Sequence, residues 1–313
     1  MFRMDRLGPT SPRPWVSVVI PIKDERDNVR PLTEQLLKTL AASPNSRSAV
    51  FEILYIDDGS TDGSSEILDD LSTRHVEVKV LHFDRNYGQT SAFDAGFRHA
   101  DGELIVTMDG DLQLDPADIL TLLPLATQYD LVCGWRKDRH DTFVRKISSR
   151  IANGIRSGIT GDGVHDTGCS LKVFRRPVIE RIALFEGMHR FFPALALMHG
   201  FTVTEVPVHH YPRVHGLSKY GVGNRLFKGL YDLLAVRWMQ SRCLRYRFRH
   251  DAPPPVTGCS LVHHYPRAHG LSKYGVGNRL FKGLYDLIAV RWMQSRCLCY
   301  RLRHDAPPPV SRT

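Results

Sequence analysis

Two carboxylates one residue apart are the strongest chemical signal in the sequence. Asp109 and Asp111 stand in the segment MDGDLQ, directly after a short apolar run. Their oxygens are hard ligands that suit Mg²⁺ or Mn²⁺. A metal held there would act as a Lewis acid on a departing diphosphate. The pair could instead form a solvated turn, so its place in the fold decides between the two interpretations.

A second acidic turn, with the sequence IDDGSTDGS, follows another apolar run and contains Asp57 and Asp58. Its glycines let the backbone approach a ligand closely. Its carboxylates can accept hydrogen bonds from the N–H groups of a base and the hydroxyls of a ribose. A structural role is also open, because Asp62 or Ser64 could cap the helix that follows.

Five apolar, β-branched runs alternate with helical stretches, which predicts an α/β fold. The predicted strands are 15–20, 51–56, 76–83, 103–108 and 130–134, and the predicted helices are 28–42, 64–74, 90–100 and 116–127. Such alternation favours a mostly parallel, Rossmann-like sheet with helices on both faces. Ligands bind beyond the carboxyl ends of such strands, where both acidic turns fall.

Composition and charge narrow the class of protein. The chain has 313 residues, 42% of them hydrophobic, with a formal charge of +9 and a pI near 9.3, so it suits a globular domain that binds phosphates. The first 14 residues lack the apolar core of a signal peptide, and no run is long enough to span a membrane. Six cysteines without a disulfide-like spacing favour a reducing cytosol, so we expect a cytoplasmic protein.

The C-terminal region contains a near-identical repeat. Residues 208–256 recur as residues 262–310, and the copies differ at four pairs of positions, 214/268, 234/288, 245/299 and 248/302. Two copies are too few for a solenoid. We therefore expect an N-terminal tail at 1–14, a main domain at 15–242, a basic, Pro-rich linker at 243–261 and a duplicated loop and helix at 262–313.

Each copy also contains an apolar stripe at helical spacing, which in the first copy comprises Phe227, Leu230, Tyr231, Leu234 and Trp238. This pattern predicts an amphipathic helical appendage. The stripe could pack on the domain. It could also lie in a membrane interface with arginines near anionic headgroups, giving peripheral contact on the cytoplasmic face.

The combined motifs resemble family-2 glycosyltransferases with the GT-A fold. The segments VSVVIPIKDERDNV, DDGSTDGS, DRNYGQTSAFDAGFRHADGELIVTMDGDLQLDP and GCSLKVFRR carry the likeness, which covers about 15–242. Within that family the chain is most similar to the dolichyl-phosphate mannosyltransferase and bactoprenol glucosyltransferase group. The resemblance implies an inverting, metal-dependent transfer of a hexose from a GDP- or UDP-sugar to a polyprenyl phosphate.

The resemblance also implies roles for individual residues. Asp109 and Asp111 would hold the metal, and Arg213 and Lys219 would belong to a loop that closes over the donor diphosphate and the acceptor phosphate. The implied donor contacts, in chain order, are Pro21, Asp24, Glu25, Asp57, Asp58, Asn86, Gly88, Gln89, Asp109, Gln113, Arg136 and Ser218. Asp24 stands where the family usually has Asn, and Gln89 where Lys is frequent.

The acceptor determines whether the reaction needs a base. A hydroxyl must lose a proton, whereas a phosphate monoester is already anionic and needs positioning and charge relief. Asp166, just before the GCSLKVF strand, is a candidate base or acceptor organiser. Two alternatives stay open: transfer to a hydroxyl of a surface glycan, and a non-catalytic basic protein that binds membrane or nucleic acid. The chain shows no nucleic-acid-binding module, so nucleic acid is not expected as a partner.

Overall fold

The computed structural model describes residues 13–43, 50–137, 154, 156–212, 223–242 and 276–303. Seven strands form one sheet in the order β3-β2-β1-β4-β6-β5-β7. Their bounds are β1 Val16–Ile22, β2 Phe51–Asp57, β3 Val78–His82, β4 Leu104–Thr107, β5 Leu131–Trp135, β6 Lys172–Arg175 and β7 Val203–Pro207. The predicted α/β fold with a mostly parallel sheet is confirmed.

Strand β6 is the antiparallel member, pairing with both β4 and β5. It therefore begins at the edge where its parallel neighbours end, and Lys172 stands opposite Thr107, the last residue of β4. The loop that precedes β6 consequently lies beside the segment that follows β4. The sequence pattern did not predict this reversal.

Helices cover both faces of the sheet. They are α1 Arg26–Ala41, α2 Ser64–Arg74, α3 Gln89–His99, α4 Asp118–Leu122, α5 Arg176–Arg181, α6 Phe192–Met198, α7 Gly223–Arg242 and α8 Val276–Ser295, with 3₁₀ turns at Leu123–Thr127 and Met188–Phe191. Val18 and Ile20 of β1 pack with α1, α2 and α4, whereas Val19 packs with α3 and α5. This alternation is expected of a central strand that is buried on both faces.

Strand β1 continues through Pro21, where the sequence predicted that it would end. Val19 and Pro21 point to the same side of the strand, and the Val19 carbonyl accepts from Met108 just after β4. The pairing of β1 with β4 ends at Val19. Pro21 has no backbone N–H to donate on this side of β1, and it loses no hydrogen bond because no residue of β4 pairs with it there. The opposite side stays paired with β2 as far as Ile22 and Asp57.

The two C-terminal helices contact each other, and the second copy packs on the main domain. Trp292 of α8 is 1% exposed in a cluster with Met188 and Phe191. Tyr300 stacks on Phe83 with ring centroids 5.0 Å apart and donates to Asp94 at 2.8 Å. The second copy is thus part of the folded unit.

The predicted stripe on α7 does not form the buried face of that helix. Tyr231 and Leu234 are exposed, whereas Leu233 and Val236 are buried. Phe227 and Leu230 lie outside the residues whose side chains are described. Among the helices that the structure describes, none is long and apolar enough to cross a membrane.

Candidate active site

The Asp109–Asp111 turn begins directly after β4. The Asp109 N–H donates to Ser170 Oγ at 3.1 Å, so the loop before β6 holds the turn in place. Gln89, the first residue of α3, donates from Nε2 to Asp109 Oδ1 at 2.8 Å. Asp111 is buried and accepts the N–H of Gln113 at 3.2 Å. The structure thus brings together four residues that the sequence proposed for the site: Gln89, Asp109, Asp111 and Gln113.

The electrostatics of this turn disfavour the charged form of Asp109. Burial, followed by the charge of Asp111, raises the pKa of Asp109, while Ser170, Arg136 and Lys172 oppose that rise. Two carboxylates that destabilise each other's charge are relieved by a divalent ion between them. A Cβ at Gly110, at the centre of the turn, would overlap the terminal methyl of Ile22, so that buried side chain would have to move to admit one.

Asp57, at the end of β2, is fully buried and engaged by the protein. It accepts from Ser60 N–H at 2.9 Å, Ser65 Oγ at 2.5 Å and His82 Nδ1 at 2.8 Å. Burial alone would raise the pKa of Asp57, but the hydrogen bonds from His82, Ser65 and Ser60 outweigh it and lower the pKa to about 2. In this arrangement the carboxylate organises the turn from within.

Asp58 connects this turn to the loop before α3. Its carboxylate accepts the N–H groups of Tyr87 at 2.6 Å and Gly88 at 2.9 Å. Burial raises the pKa of Asp58 to about 6 despite these hydrogen bonds. Gly59 approaches the backbone of Arg85 and Asn86 so closely that a Cβ would lie 2.5 Å from the Arg85 carbonyl carbon. Asn86 itself is exposed beside this contact.

The turn after β1 is joined to the Asp57–Asp58 turn by backbone donors. Asp24 accepts the Thr61 N–H at 2.8 Å and adopts a left-handed φ of 50°, a conformation that Asp and Asn tolerate better than most residues. Glu25 donates its N–H to Ser64 Oγ at 3.0 Å and accepts from Asn28 at 2.7 Å. Three segments that the sequence predicts to bind the nucleotide thus meet at one edge of the sheet. They are the end of β1 with Pro21 and the turn after it, the Asp57–Asp58 turn, and the loop before α3.

Arg136 and Asp166 form a bidentate ion pair next to this edge. Arg136 donates to the two Asp166 oxygens from Nε at 2.8 Å and from Nη2 at 3.0 Å. The pKa of Arg136 is raised because its bond to Asp166 outweighs the cost of burial. Asp166 is therefore placed to orient an arginine.

Three residues that help to build the site were not assigned a role from the sequence. Ser170 holds Asp109, Lys172 is buried and donates to the carbonyls of Thr167 and Cys169, and Thr90 bonds to His189 Nδ1 at 2.6 Å. Ser170 and Lys172 belong to the GCSLK segment, whose mixture of a cation and a hydroxyl in an apolar strand was the available signal.

Gln113 of the site contacts Tyr211, which precedes the predicted phosphate-binding loop in the sequence. Gln113 and Tyr211 are joined by the Tyr211 N–H, which donates to the Gln113 carbonyl at 2.8 Å, and by Gln113 Nε2, which donates to the Tyr211 carbonyl at 3.3 Å. Arg213, Ser218 and Lys219 lie outside the described residues. Within the part of the chain that the structure covers, no cluster of three or more His, Cys, Asp or Glu residues suits a metal ion.

A sheet edge with acidic turns after β1, β2 and β4 defines an α/β protein of the GT-A type. The model of the family "Glycosyl transferase family 2" matches residues 17–183, and the chain belongs to this family of glycosyltransferases. The resemblance and the fold expected from the sequence are confirmed.

Two curated relatives and one solved structure illustrate the likeness. The dodecaprenyl-phosphate galacturonate synthase of Rhizobium johnstonii is 39% identical over 240 residues, covering 75% of this chain and 68% of the relative. The undecaprenyl-phosphate 4-deoxy-4-formamido-L-arabinose transferase of Edwardsiella ictaluri is 41% identical over 222 residues, covering 70% and 67%. Glucosyl-3-phosphoglycerate synthase from Mycobacterium tuberculosis, solved with Mn²⁺, UDP and glucosyl-3-phosphoglycerate, has a TM-score of 0.53 and 15% identity over 74% of this chain and 80% of its own. It supports the fold.

Proposed function

We propose that the protein transfers a sugar from a nucleotide-diphosphate sugar to a polyprenyl phosphate. The observation that carries the proposal is the Asp109–Asp111 turn beside Gln89 and the Asp57–Asp58 turn, at the carboxyl ends of parallel strands. Both curated relatives are named for polyprenyl-phosphate products or acceptors. Their names give a galacturonate and a formamido-arabinose, so the sugar need not be the neutral hexose expected from the sequence.

The carboxylates of Asp109 and Asp111 fit Mg²⁺ or Mn²⁺, since both offer hard oxygen ligands and their mutual repulsion would be relieved by a cation. When bound, such an ion supplies Lewis-acid stabilisation of the leaving diphosphate. Gln89 orients the Asp109 carboxylate through its 2.8 Å hydrogen bond. Asp109 and Asp111 are the residues that would hold this metal beside the donor.

The segments that surround the pair would hold the donor. Asp57 and Asp58 set the shape of their turn from inside, so the base and ribose would meet chiefly its outer backbone and the exposed Asn86. The other proposed donor contacts are Pro21, Asp24, Glu25, Gly88, Gln113, Arg136 and Ser218. Arg213 and Lys219, in the segment that follows Tyr211, would neutralise phosphate charge.

The Arg136–Asp166 pair supports a phosphate acceptor over a hydroxyl acceptor. Both oxygens of Asp166 are committed to the guanidinium, which makes this carboxylate a weak candidate for a general base. A phosphate monoester needs no base, but it does need a cation that is held in position. We therefore assign Asp166 to the positioning of Arg136, and Arg136 to the phosphates.

The lipid acceptor implies contact with a membrane surface. Apolar side chains stand exposed on the C-terminal helices, namely Tyr231, Leu234, Leu287, Ile288 and Val290. Arg237 and Arg291, which are also exposed, lie on the same helices. We propose peripheral binding to an anionic membrane on its cytoplasmic face, with the apolar side chains in the interface.

A donor and acceptor screen tests the function. GDP- and UDP-linked hexoses, hexuronates and amino-pentoses are each incubated with Mg²⁺ or Mn²⁺ and a short polyprenyl phosphate, and products are identified by mass. We expect one donor to give a glycosyl phosphopolyprenol, with no product in EDTA. Transfer only to sugar hydroxyls would show that the acceptor is a hydroxyl and not a polyprenyl phosphate. Salt-sensitive binding to nucleic acid with no affinity for any nucleotide-sugar would overturn the enzymatic proposal.

A further inference from the structure

The duplicated helices α7 and α8 contact each other through equivalent residues in a reciprocal way. Trp238 Nε1 of α7 donates to Asp286 of α8 at 3.0 Å, and Trp292 Nε1 of α8 donates to Asp232 of α7 at 3.3 Å. Positions 232 and 286 correspond in the repeat, as do 238 and 292. Each copy therefore offers the same donor and the same acceptor to the other copy.

The arginines one turn further along repeat the exchange. Arg242 of α7 pairs with Asp286, and Arg296, the residue that follows α8, pairs with Asp232 at 3.2 Å. Positions 242 and 296 are again equivalent in the repeat. The Asp, Trp and Arg of each copy thus bond to the same three residue types of the other copy across the helix pair.

The order of these contacts shows that the helices run antiparallel. The early residue Asp232 meets the late residues of α8, whereas the early residue Asp286 meets the late residues of α7. Such a pattern places a local two-fold axis between the helices, midway between the exchanged pairs, at Ala235 and Ala289. Both alanines are buried, as expected of small residues where two helices cross.

We propose that this face of α7, formed by Asp232, Ala235, Trp238 and Arg242, is a self-complementary docking surface whose partner is a second copy of the same helix. A two-fold contact uses one patch twice, and this is the geometry of a homodimer interface. In the intact chain α8 fills the surface from within. When α8 is displaced, α7 of another chain offers the same Asp, Ala, Trp and Arg in the same spacing.

Because α8 is on the same chain as α7, it binds this surface in preference to a second protein molecule. A partner on the same chain has an effective concentration in the millimolar range, well above that of a second protein molecule in solution. The intact chain therefore remains closed on itself, and opening of α8 exposes the surface. In each contact an indole N–H and an arginine donate to the same carboxylate, and the contact between Trp292 and Asp232 is buried.

The first test separates α8 from α7 in the full-length protein. Leu287→Pro breaks α8 between its Asp and Trp while leaving α7 unchanged, since Leu287 is exposed and interior to the helix. We expect the mass from light scattering to double at tens of micromolar protein. Asp232→Ala added to Leu287→Pro removes the acceptor of α7 and should return the protein to a monomer.

Cysteine cross-linking tests the register. In a background with Cys243, Cys259, Cys297 and Cys299 changed to serine, Ala235→Cys with Ala289→Cys should form a disulfide within the otherwise intact chain. In the opened variant, Ala235→Cys alone should give a 235–235 disulfide between chains, and Leu234→Cys on the exposed face should not. If Leu287→Pro unfolds the protein by circular dichroism, Asp286→Ala with Trp292→Phe opens the pair instead. A folded, opened protein that stays monomeric, or an absent 235–289 disulfide, overturns the proposal.

Discussion

At the scale of single residues, the site depends on carboxylates whose environments differ sharply. Asp57 is held ionised by three donors, whereas Asp58 and Asp109 have raised pKa values because burial outweighs their hydrogen bonds. The first arrangement builds a rigid turn, and a raised pKa at Asp109 leaves a carboxylate that gains from a cation. Residue type alone does not distinguish these roles, because all three are aspartates at or just after the carboxyl end of a strand.

Replacement of Asp111 by Asn should strongly reduce metal-dependent transfer. The change removes one of two charges proposed to hold the metal, so we expect a loss of at least about 100-fold in kcat/KM, which corresponds to about 2.7 kcal/mol of transition-state stabilisation. Mn²⁺ titration followed by electron paramagnetic resonance should show weakened binding in parallel. Asp27→Asn, at an exposed carboxylate in the first turn of α1, is the control. Unchanged Mn²⁺ affinity in Asp111→Asn would remove this pair as the metal site.

His82 should make stability depend on pH. Its hydrogen bond to Asp57, and a second to Asp69, raise the pKa of His82 above its unfolded value of about 6.5. The stabilisation is therefore fully present below pH 6.5 and is lost as the pH rises through the folded-state pKa. The melting temperature should fall across that alkaline range, and His82→Gln should flatten the fall.

Asp69→Asn serves as the graded comparison for His82. It removes the exposed partner and leaves the buried bond to Asp57, so the pH dependence should shrink without disappearing. A His82→Gln protein with the same alkaline decline as the parent would show that another group is responsible.

At the scale of elements, loop-to-loop contacts align the donor segments. The turn after β1 bonds to the turn after β2, which in turn bonds to the loop before α3. The antiparallel β6 adds Ser170 from the other side. The turn after β2 and the loop before α3 also approach each other closely through their backbones, at Gly59.

Gly59→Ala should destabilise the protein and weaken donor binding. Gly59 has a φ of +67°, and an added Cβ would press on the Arg85 backbone. We expect a loss of about 2–3 kcal/mol in the free energy of unfolding together with a raised donor KM. Denaturant unfolding and initial-rate kinetics measure the two effects.

Gly161→Ala is a matched control for this change. Gly161 also has a φ of +67°, but a Cβ there would meet nothing within 4 Å. Its replacement should cost only the backbone strain of about 1 kcal/mol. Equal losses in the two variants would mean that the contact with Arg85 does not matter.

At the scale of the whole molecule, the second copy of the repeat is integrated into the fold. Its basic loop, with Arg267 and Lys273, duplicates the loop that contains Arg213 and Lys219; on sequence alone, this redundancy predicts that removal of 257–313 leaves turnover nearly intact. Trp292 and Tyr300, however, fill core positions on the main domain. We now expect that truncation to expose apolar surface and destabilise the protein.

Trp292→Ala should cost far more stability than Trp238→Ala. Trp292 is 1% exposed and packs beside Phe185, whereas the equivalent Trp238 is partly exposed. Loss of a buried tryptophan costs about 3–5 kcal/mol, and loss of the partly exposed one should cost less than half as much. Thermal and denaturant unfolding provide the comparison, and similar losses would show that the copies are equally buried.

Leu287→Glu should weaken association with lipid vesicles. Among the described apolar side chains of the C-terminal helices, Leu287 is the most exposed, at 66%, so a charge there should oppose insertion without disturbing the core. Co-sedimentation with anionic vesicles should fall several-fold, while the melting temperature changes little. Glu180→Gln, on the main domain, is the control. Undiminished sedimentation of Leu287→Glu would exclude this face as the membrane contact.

The sequence by itself determined the α/β class, the carboxyl-edge location of the acidic turns and the identity of the repeat, because these follow from local periodicity and from residue order. Tertiary structure alone decided that β6 runs antiparallel, that Asp57 and Asp166 bond to protein partners, and which face of α7 is buried. Those outcomes depend on contacts between residues far apart in the chain, such as Ser170 with Asp109 and Asp232 with Trp292. Local patterns carry no information about such partners, since the energy of each contact exists only once the chain has folded.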